Sequence, residues 1–222
     1  MKIRDVYTIC KQTDTRFIPM LLRHLYWRFV RRTNIIMSTN VNWYGRGRPD
    51  ISGRLMVGCD NSILSHSNTL TTIKMYGNFI VNGLVRIQRG CRIEIQNNAT
   101  LELNNCFINN NCLILCKHNI SIGSGTAIGW NTQICDEDYH EVICANTLNT
   151  PNSQDFDGTS REIKIGNHVL IGNNCFIYKG VSIADGCVVA SNSVVKKSLL
   201  EPNTLYAGVP AKAICKIENW TN

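Results

Sequence analysis

From Ile165 to Val195 the chain carries a β-branched aliphatic residue at every sixth position. The units read Ile165-Gly-Asn-His-Val-Leu, Ile171-Gly-Asn-Asn-Cys-Phe, Ile177-Tyr-Lys-Gly-Val-Ser, Ile183-Ala-Asp-Gly-Cys-Val and Val189-Ala-Ser-Asn-Ser-Val. The residue after the aliphatic is Gly or Ala in four of these five units, and the fourth residue after it is Val169, Cys175, Val181, Cys187 or Ser193. A period of six is neither the 3.6 of a helix nor the two of a strand. It fits a triangular coil with one short strand and one turn per hexad, three hexads to a coil. Each aliphatic then points inward and stacks on its equivalents above and below, burying a column that a single coil cannot bury alone. Gly and Asn suit the corners because they tolerate positive φ, which accounts for Asn104-Asn105, Asn109-Asn110-Asn111 and Asn173-Asn174. Aliphatics punctuate these Asn-rich stretches throughout, which argues against disorder. The period recurs at Ile122, Ile128 and Ile134, and further back at Leu103, Asn109 and Leu115 with one extra residue before Ile122. Upstream of Leu103 it loosens into the strand-like alternation of Val85, Ile87, Ile93, Ile95 and Leu101.

Two segments fall outside the repeat. Residues 139–163 interrupt the hexads with a polar stretch containing Asn149, Pro151, Asn152, Asp155, Asp157 and Gly158, and loops of this length in compact domains are functional or disordered. Residues 15–32 have helical spacing, with Phe17, Ile18, Leu21, Leu22, Leu25 and Phe29 as the apolar side and Arg23, Arg28, Arg31 and Arg32 as the basic side. We expect that helix to dock on the open end of the coil. This divides the chain into a basic N-terminal extension with an amphipathic helix (1–54), a coil domain (55–217) with an extruded loop (141–162), and a short tail (218–222).

Composition sharpens the picture at two points. Eleven cysteines suggest a disulfide scaffold, but the count is odd and no Cys-x-x-Cys pair occurs. Cys106, Cys112, Cys175 and Cys187 take positions that suit small apolar residues. They read as buried hydrophobes in a reducing compartment, with no metal site expected. The net charge of +7 is uneven. Residues 1–54 hold 11 Lys/Arg against 3 Asp/Glu, a net of +8, and the remainder is −1. The first quarter of the chain is thus suited to an anionic surface, and peripheral contact with the inner membrane face is one reading of it. With no signal-peptide pattern and no apolar run long enough to span a bilayer, the sequence reads as cytoplasmic. Tyr26, Trp27, Trp43 and Tyr44 beside basic residues are not supported by any other nucleic-acid feature, so no nucleic-acid partner is expected.

The hexads from Ile165, then Lys179-Gly180-Val181, Val194-Val195-Lys196-Lys197 and Ala207-Gly208-Val209-Pro210-Ala211-Lys212, resemble the left-handed β-helix hexapeptide-repeat acyltransferases. The branch they are most similar to is the galactoside and maltose acetyltransferase type, including the O-acetyltransferases of capsule and lipopolysaccharide gene clusters. The resemblance covers roughly residues 80–217. It implies an all-β, left-handed parallel β-helix with an N-terminal helical extension and an extruded loop. It also implies acetyl-CoA as acyl donor, a sugar or glycan acceptor and a homotrimer whose active site closes between subunits.

Acyl transfer to a hydroxyl needs a base, oxyanion donors and a thioester held in line. Among five histidines, His24 lies on the N-terminal helix, His66 in the irregular early region, and His168 at an outward hexad position. His140 stands where regular coil gives way to the loop, the place of the catalytic histidine in the resembled family, although Glu141 follows it instead of the proline seen in some branches. Histidine is suited to the task because its pKa lies near working pH. The resemblance also implies Asn110 as an acceptor- and oxyanion-positioning residue, and Asn173 and Ser191 as cofactor contacts. Lys196, Lys197, Lys212 and Lys216 form the expected basic end for coenzyme A phosphates. Asp138 is favoured as an orienting carboxylate, and Asp136 and His118 as substrate contacts. The family's acidic acceptor position falls on Lys117-His118 here, a departure that leaves the acceptor sugar open.

The expected function is acetyl-CoA-dependent O-acetylation of a sugar in a surface-polysaccharide precursor, by direct transfer with His140 as general base. N-acetylation of an amino-sugar nucleotide and a non-catalytic β-helix scaffold are the alternatives. A cysteine nucleophile at Cys135 or Cys144 has only proximity in its favour, and a zinc hydratase would need three placed histidines.

Overall fold

A computed structural model describes residues 3–13, 15–45, 47–59, 69–138, 140 and 161–221. Its body is a left-handed parallel β-helix whose short strands form three sheets, one per face of a triangular prism. Parallel pairing in register stacks like residues in columns. Ile87, Ile108, Ile128, Ile171 and Val189 align on the first face. Ile93, Ile114, Ile134, Ile177 and Val195 align on the second, and Leu103, Ile122, Ile165 and Ile183 on the third. All of these residues are buried and join one continuous core. Cys106, Cys112, Cys175 and Cys187 lie in the same core as free thiols. Corner asparagines take the expected left-handed backbone: Asn105, Asn111, Asn131, Asn174, Asn192 and Asn203 all have positive φ.

The register explains where the hexads hold and where they fail. Over the last coils the paired residues (Ile171 with Val189, Ile177 with Val195, Ile165 with Ile183) are separated by three whole hexads. One coil earlier the pairs are Ile128 with Ile171, Ile134 with Ile177 and Ile122 with Ile165, more than twice as far apart in sequence on every face. A long segment is therefore inserted between the second and third faces of that coil. Before it, the steps from Leu103 to Ile122, Ile108 to Ile128 and Ile87 to Ile108 slightly exceed three hexads, whereas the coil from Leu55 to Val85 runs to 30 residues. The extra residues shift the frame. Ile108 and Ile114 are the inward residues of that coil, whereas Asn109 and Leu115, expected there, face outward.

Coil pairing also begins earlier than the boundary at residue 54. Ile35–Met37 pairs in parallel with Arg54–Val57, and Val41–Tyr44 with Thr71–Met75, so much of the expected extension is already β-helix. The helical part comprises α1 (Ile3–Gln12) and α2 (Phe17–Leu25), the latter continuing into a π-helical turn at Tyr26–Val30. α1 and α2 pack on the outer side of the first face through Val6, Cys10, Met20 and Ile36. Trp27 enters the end of the main core beside Trp43, with ring centroids 5.0 Å apart. The docking face of α2 takes in only part of the apolar stripe expected from the sequence, with Phe17 and Leu21 packed against the α1–α2 cluster. Met20, His24 and Trp27 are buried, whereas Ile18, Leu22 and Phe29 point to solvent. Polar anchors select this face. The Arg23 guanidinium donates to the carbonyls of Ser38, Thr39 and Val41 at 2.8, 3.0 and 2.7 Å, and His24 Nδ1 lies 3.0 Å from the Ile35 carbonyl.

Candidate active site

The candidate site sits where the strand Gln133–Cys135 ends and the inserted segment leaves the prism. Asp136 turns inward at this corner and is fully buried. Its two carboxylate oxygens accept the backbone N–H groups of Lys117 and His118 at 2.7 and 2.8 Å. Burial pushes its pKa up, against the opposing effect of these two bonds. Asp136 therefore braces the corner of the preceding coil, which corrects its expected role as a substrate contact.

Glu137 gathers the charges around it. Its carboxylate accepts from Lys117 Nζ at 3.1 Å, from His118 Nε2 at 3.2 Å and from the Arg161 guanidinium. It also receives the backbone N–H of Asp138 at 2.9 Å. Burial alone would raise its pKa, but these donors outweigh it and hold the group at about 2. Arg161 is the first described residue after the inserted segment, so Glu137 ties the segment's exit to its entry. Beside it, Asp138 pairs with Lys179 Nζ at 2.6 Å. His140 is exposed two residues further on. The expected loop 141–162 lies outside the described residues up to position 160, as do His66 and Cys144.

The other expected residues separate into groups. Asn110 is fully buried at a different corner, between the first and second faces, where its amide donates to the Arg89 carbonyl at 3.4 Å. This corrects its expected contact with acceptor and oxyanion, because a side chain inside the corner does not reach the outer surface. Its neighbour Asn109 is partly exposed instead. Asn173 and Ser191 do come together. They occupy the same corner one coil apart, with Asn173 N donating to Ser191 Oγ at 3.0 Å and Asn173 Oδ1 accepting from Trp130 N at 3.0 Å. The four lysines do not form one basic end. Lys196 and Lys197 are exposed after Val195, on the edge that also carries Lys179. Lys212 and Lys216 lie on the closing antiparallel strand Ala211–Lys216, opposite Ala207 and Thr204 respectively. The extended chain between those two separates them by about 13 Å. Lys216 is occupied by the Pro202 carbonyl at 3.0 Å and by Glu201 at 3.3 Å.

The remaining candidates are engaged elsewhere. His24 is buried under α2. His168 stacks on Trp220 at 4.5 Å, and its carbonyl accepts the Trp220 indole N–H at 2.7 Å, which pins the tail to the prism. Burial, reinforced by the Asp136 charge, pushes the Cys135 thiol up to about 11. It is the opposite of the depressed pKa that a cysteine nucleophile needs. Glu137, Arg161 and Lys179 were not read from the sequence. Their signal was the coil offset itself, since Lys117 and Glu137 stand one coil apart.

A prism of stacked hexads with an insertion at one edge defines a hexapeptide-repeat protein. The chain belongs to the bacterial transferase hexapeptide family, whose six-repeat model matches residues 162–197. An uncharacterized 24.8 kDa protein in the cps region of Klebsiella pneumoniae is 36% identical over 213 residues, spanning 95% of this chain and 92% of that protein. The galactoside O-acetyltransferase of Escherichia coli K12 is 34% identical over 115 residues, 46% of this chain and 56% of its own length. The crystal structure of the polysialic acid O-acetyltransferase OatWY superposes with a TM-score of 0.59 at 25% identity, covering 85% of this chain and 87% of that one. Fold, repeat and relatives together assign the chain to the acyltransferases of this family.

Proposed function

We propose that the protein transfers an acetyl group from acetyl-CoA to a sugar hydroxyl of a surface-polysaccharide precursor, with His140 as general base. The observation that carries this reading is the position of His140. It stands exposed where the coil opens, directly after a corner fixed by Asp136, Glu137 and Asp138. The chemistry then follows. The imidazole takes the hydroxyl proton, the oxygen attacks the thioester carbonyl, and the tetrahedral intermediate collapses with return of that proton to the departing thiolate. No acyl-enzyme is formed. At the corner carrying Asn173 and Ser191, the exposed Ser191 offers its hydroxyl to a pantetheine arm, with Lys212 near the same corner for phosphate. His118, held by Glu137, faces the acceptor side.

A hydroxyl acceptor is supported by two similar proteins named as O-acetyltransferases, and a capsule setting by the cps-region relative. We also infer a homotrimer, since one prism edge leaves His140 open on one side, and a cytoplasmic protein that meets the inner membrane face through its basic N-terminal segment. Among the described residues no helix is long and apolar enough to cross a membrane. The test is to incubate the protein with acetyl-CoA and capsular repeat-unit precursors and to treat the product with mild hydroxide. Loss of the added acetyl group identifies an ester and supports the proposal. An acetyl group that survives is an amide and assigns the enzyme to amino-sugar N-acetylation instead.

A further inference from the structure

Helix α2 and its π-helical continuation are apolar on two opposite sides. One side, Met20, His24 and Trp27, is spent on docking. The other carries Ile18, Leu22, Phe29 and Val30, which are 68, 62, 70 and 66% exposed. Ile18, Leu22 and Phe29 follow helical spacing, so they form one stripe. A contiguous apolar surface of this kind on a soluble chain marks an interaction site.

The charge around the stripe says what covers it. Arg28 and Arg32 are exposed beside it. From Thr15 to Pro49 the sequence holds seven arginines and neither an Asp nor a Glu. A second copy placed on this surface would set arginines against arginines. An anionic bilayer matches both features, taking the apolar side chains into the acyl boundary and the guanidinium groups at the headgroups. We propose that the outer stripe of α2 is a docking surface for an anionic membrane. This deepens the membrane-facing reading given above and rests on it for location alone. In a trimer, three-fold symmetry sets three such stripes at one level, so weak individual contacts add as avidity.

The experiment is vesicle co-sedimentation of the full chain, using phosphatidylcholine alone and phosphatidylcholine with about a third phosphatidylglycerol. The wild type is expected to bind the anionic vesicles at least about ten-fold more tightly than the neutral ones, with binding weakened by salt. L22S/F29S, at two exposed positions, is expected to lose about ten-fold or more of that binding while thermal stability and transfer to a soluble acceptor stay unchanged. R28Q/R32Q tests the charge separately, should the apolar variant fail to fold. Equal or absent binding to both vesicle types overturns the proposal. So does L22S/F29S that keeps full binding, or that lowers the oligomer mass without affecting vesicles, since the stripe would then be a contact between copies. Vesicle binding requires no turnover, so its failure is distinct from failure of the acetyl-transfer reading.

Discussion

Glu137 is the residue on which the local electrostatics of the site converge. Its carboxylate is shared by Lys117, His118 and Arg161, and removing it would leave the Lys117 and Arg161 charges facing one another. Glu137→Gln is expected to lower stability at pH 7 by about 1.5–3 kcal/mol, the range for hydrogen bonds to charged groups, measurable as a drop in urea midpoint. The pH dependence has a definite sign. The folded-state pKa of about 2 lies below the ordinary glutamate value of 4.5, so this contribution is full above about 4.5 and fades as pH falls toward 2. Asp136 works in the opposite sense, because burial raises its pKa. The difference between wild type and Glu137→Gln, followed by chemical denaturation from pH 7 to 3, isolates the Glu137 share and should shrink with acid. A difference that grows with acid would contradict the assignment. At this scale the sequence was partly legible. The place of His140 was legible because the repeat is interrupted there, and the structure has it exposed just past the last regular strand of that coil. Asn110 and Asp136 were misplaced because, at the corners, their amide and carboxylate turn inward to satisfy backbone groups of the neighbouring coil. Polar residues in a row of polar residues give no sign of which one does so.

The elements are coils, and their cost of disruption follows from stacking. Ile134 lies in the second-face column between Ile114 and Ile177, fully buried and immediately before the site corner. Ile134→Ala is expected to destabilise by about 2–5 kcal/mol through lost burial and the cavity left behind, read as a fall in thermal midpoint. Leu113→Ala, in the same sheet but on its outer side, should cost far less. Comparable costs would show that the inward frame is wrong. The hexads from Ile165 onward were legible because each coil there is a whole number of them. Between Leu103 and Ile134 the coil step runs past three hexads, and the extra corner residues moved the inward frame to Ile108 and Ile114. The coils from Ile35 were hidden because the step from Leu55 to Val85 is 30 residues, which breaks any count in sixes. The helix was legible as a helix, but its docking side only in part: Phe17 and Leu21 pack inward as expected, while Arg23 and His24 bond to carbonyls at the end of the prism and turn Ile18, Leu22 and Phe29 outward.

The whole molecule is divided electrically, with net +8 on residues 1–54 and net −1 on the rest, and geometrically, with the inserted segment on one edge. The edge that presents His140 is convex, and acyl transfer calls for a closed site that excludes water. In the proposed trimer a second prism supplies the missing wall. Light scattering of the purified chain is expected to give three times the chain mass at micromolar concentration. A monomer with full activity would remove the need for a shared site. The central proposal is that His140 acts as the base in a β-helix that binds its acyl donor elsewhere along the wall. The most direct measurement is single-turnover acetyl transfer by His140→Ala, paired with coenzyme A binding by calorimetry on the same sample. We predict a rate lower by about 10²–10⁴-fold with coenzyme A affinity unchanged. Transfer at the wild-type rate, or lost coenzyme A binding with chemistry retained, would contradict it.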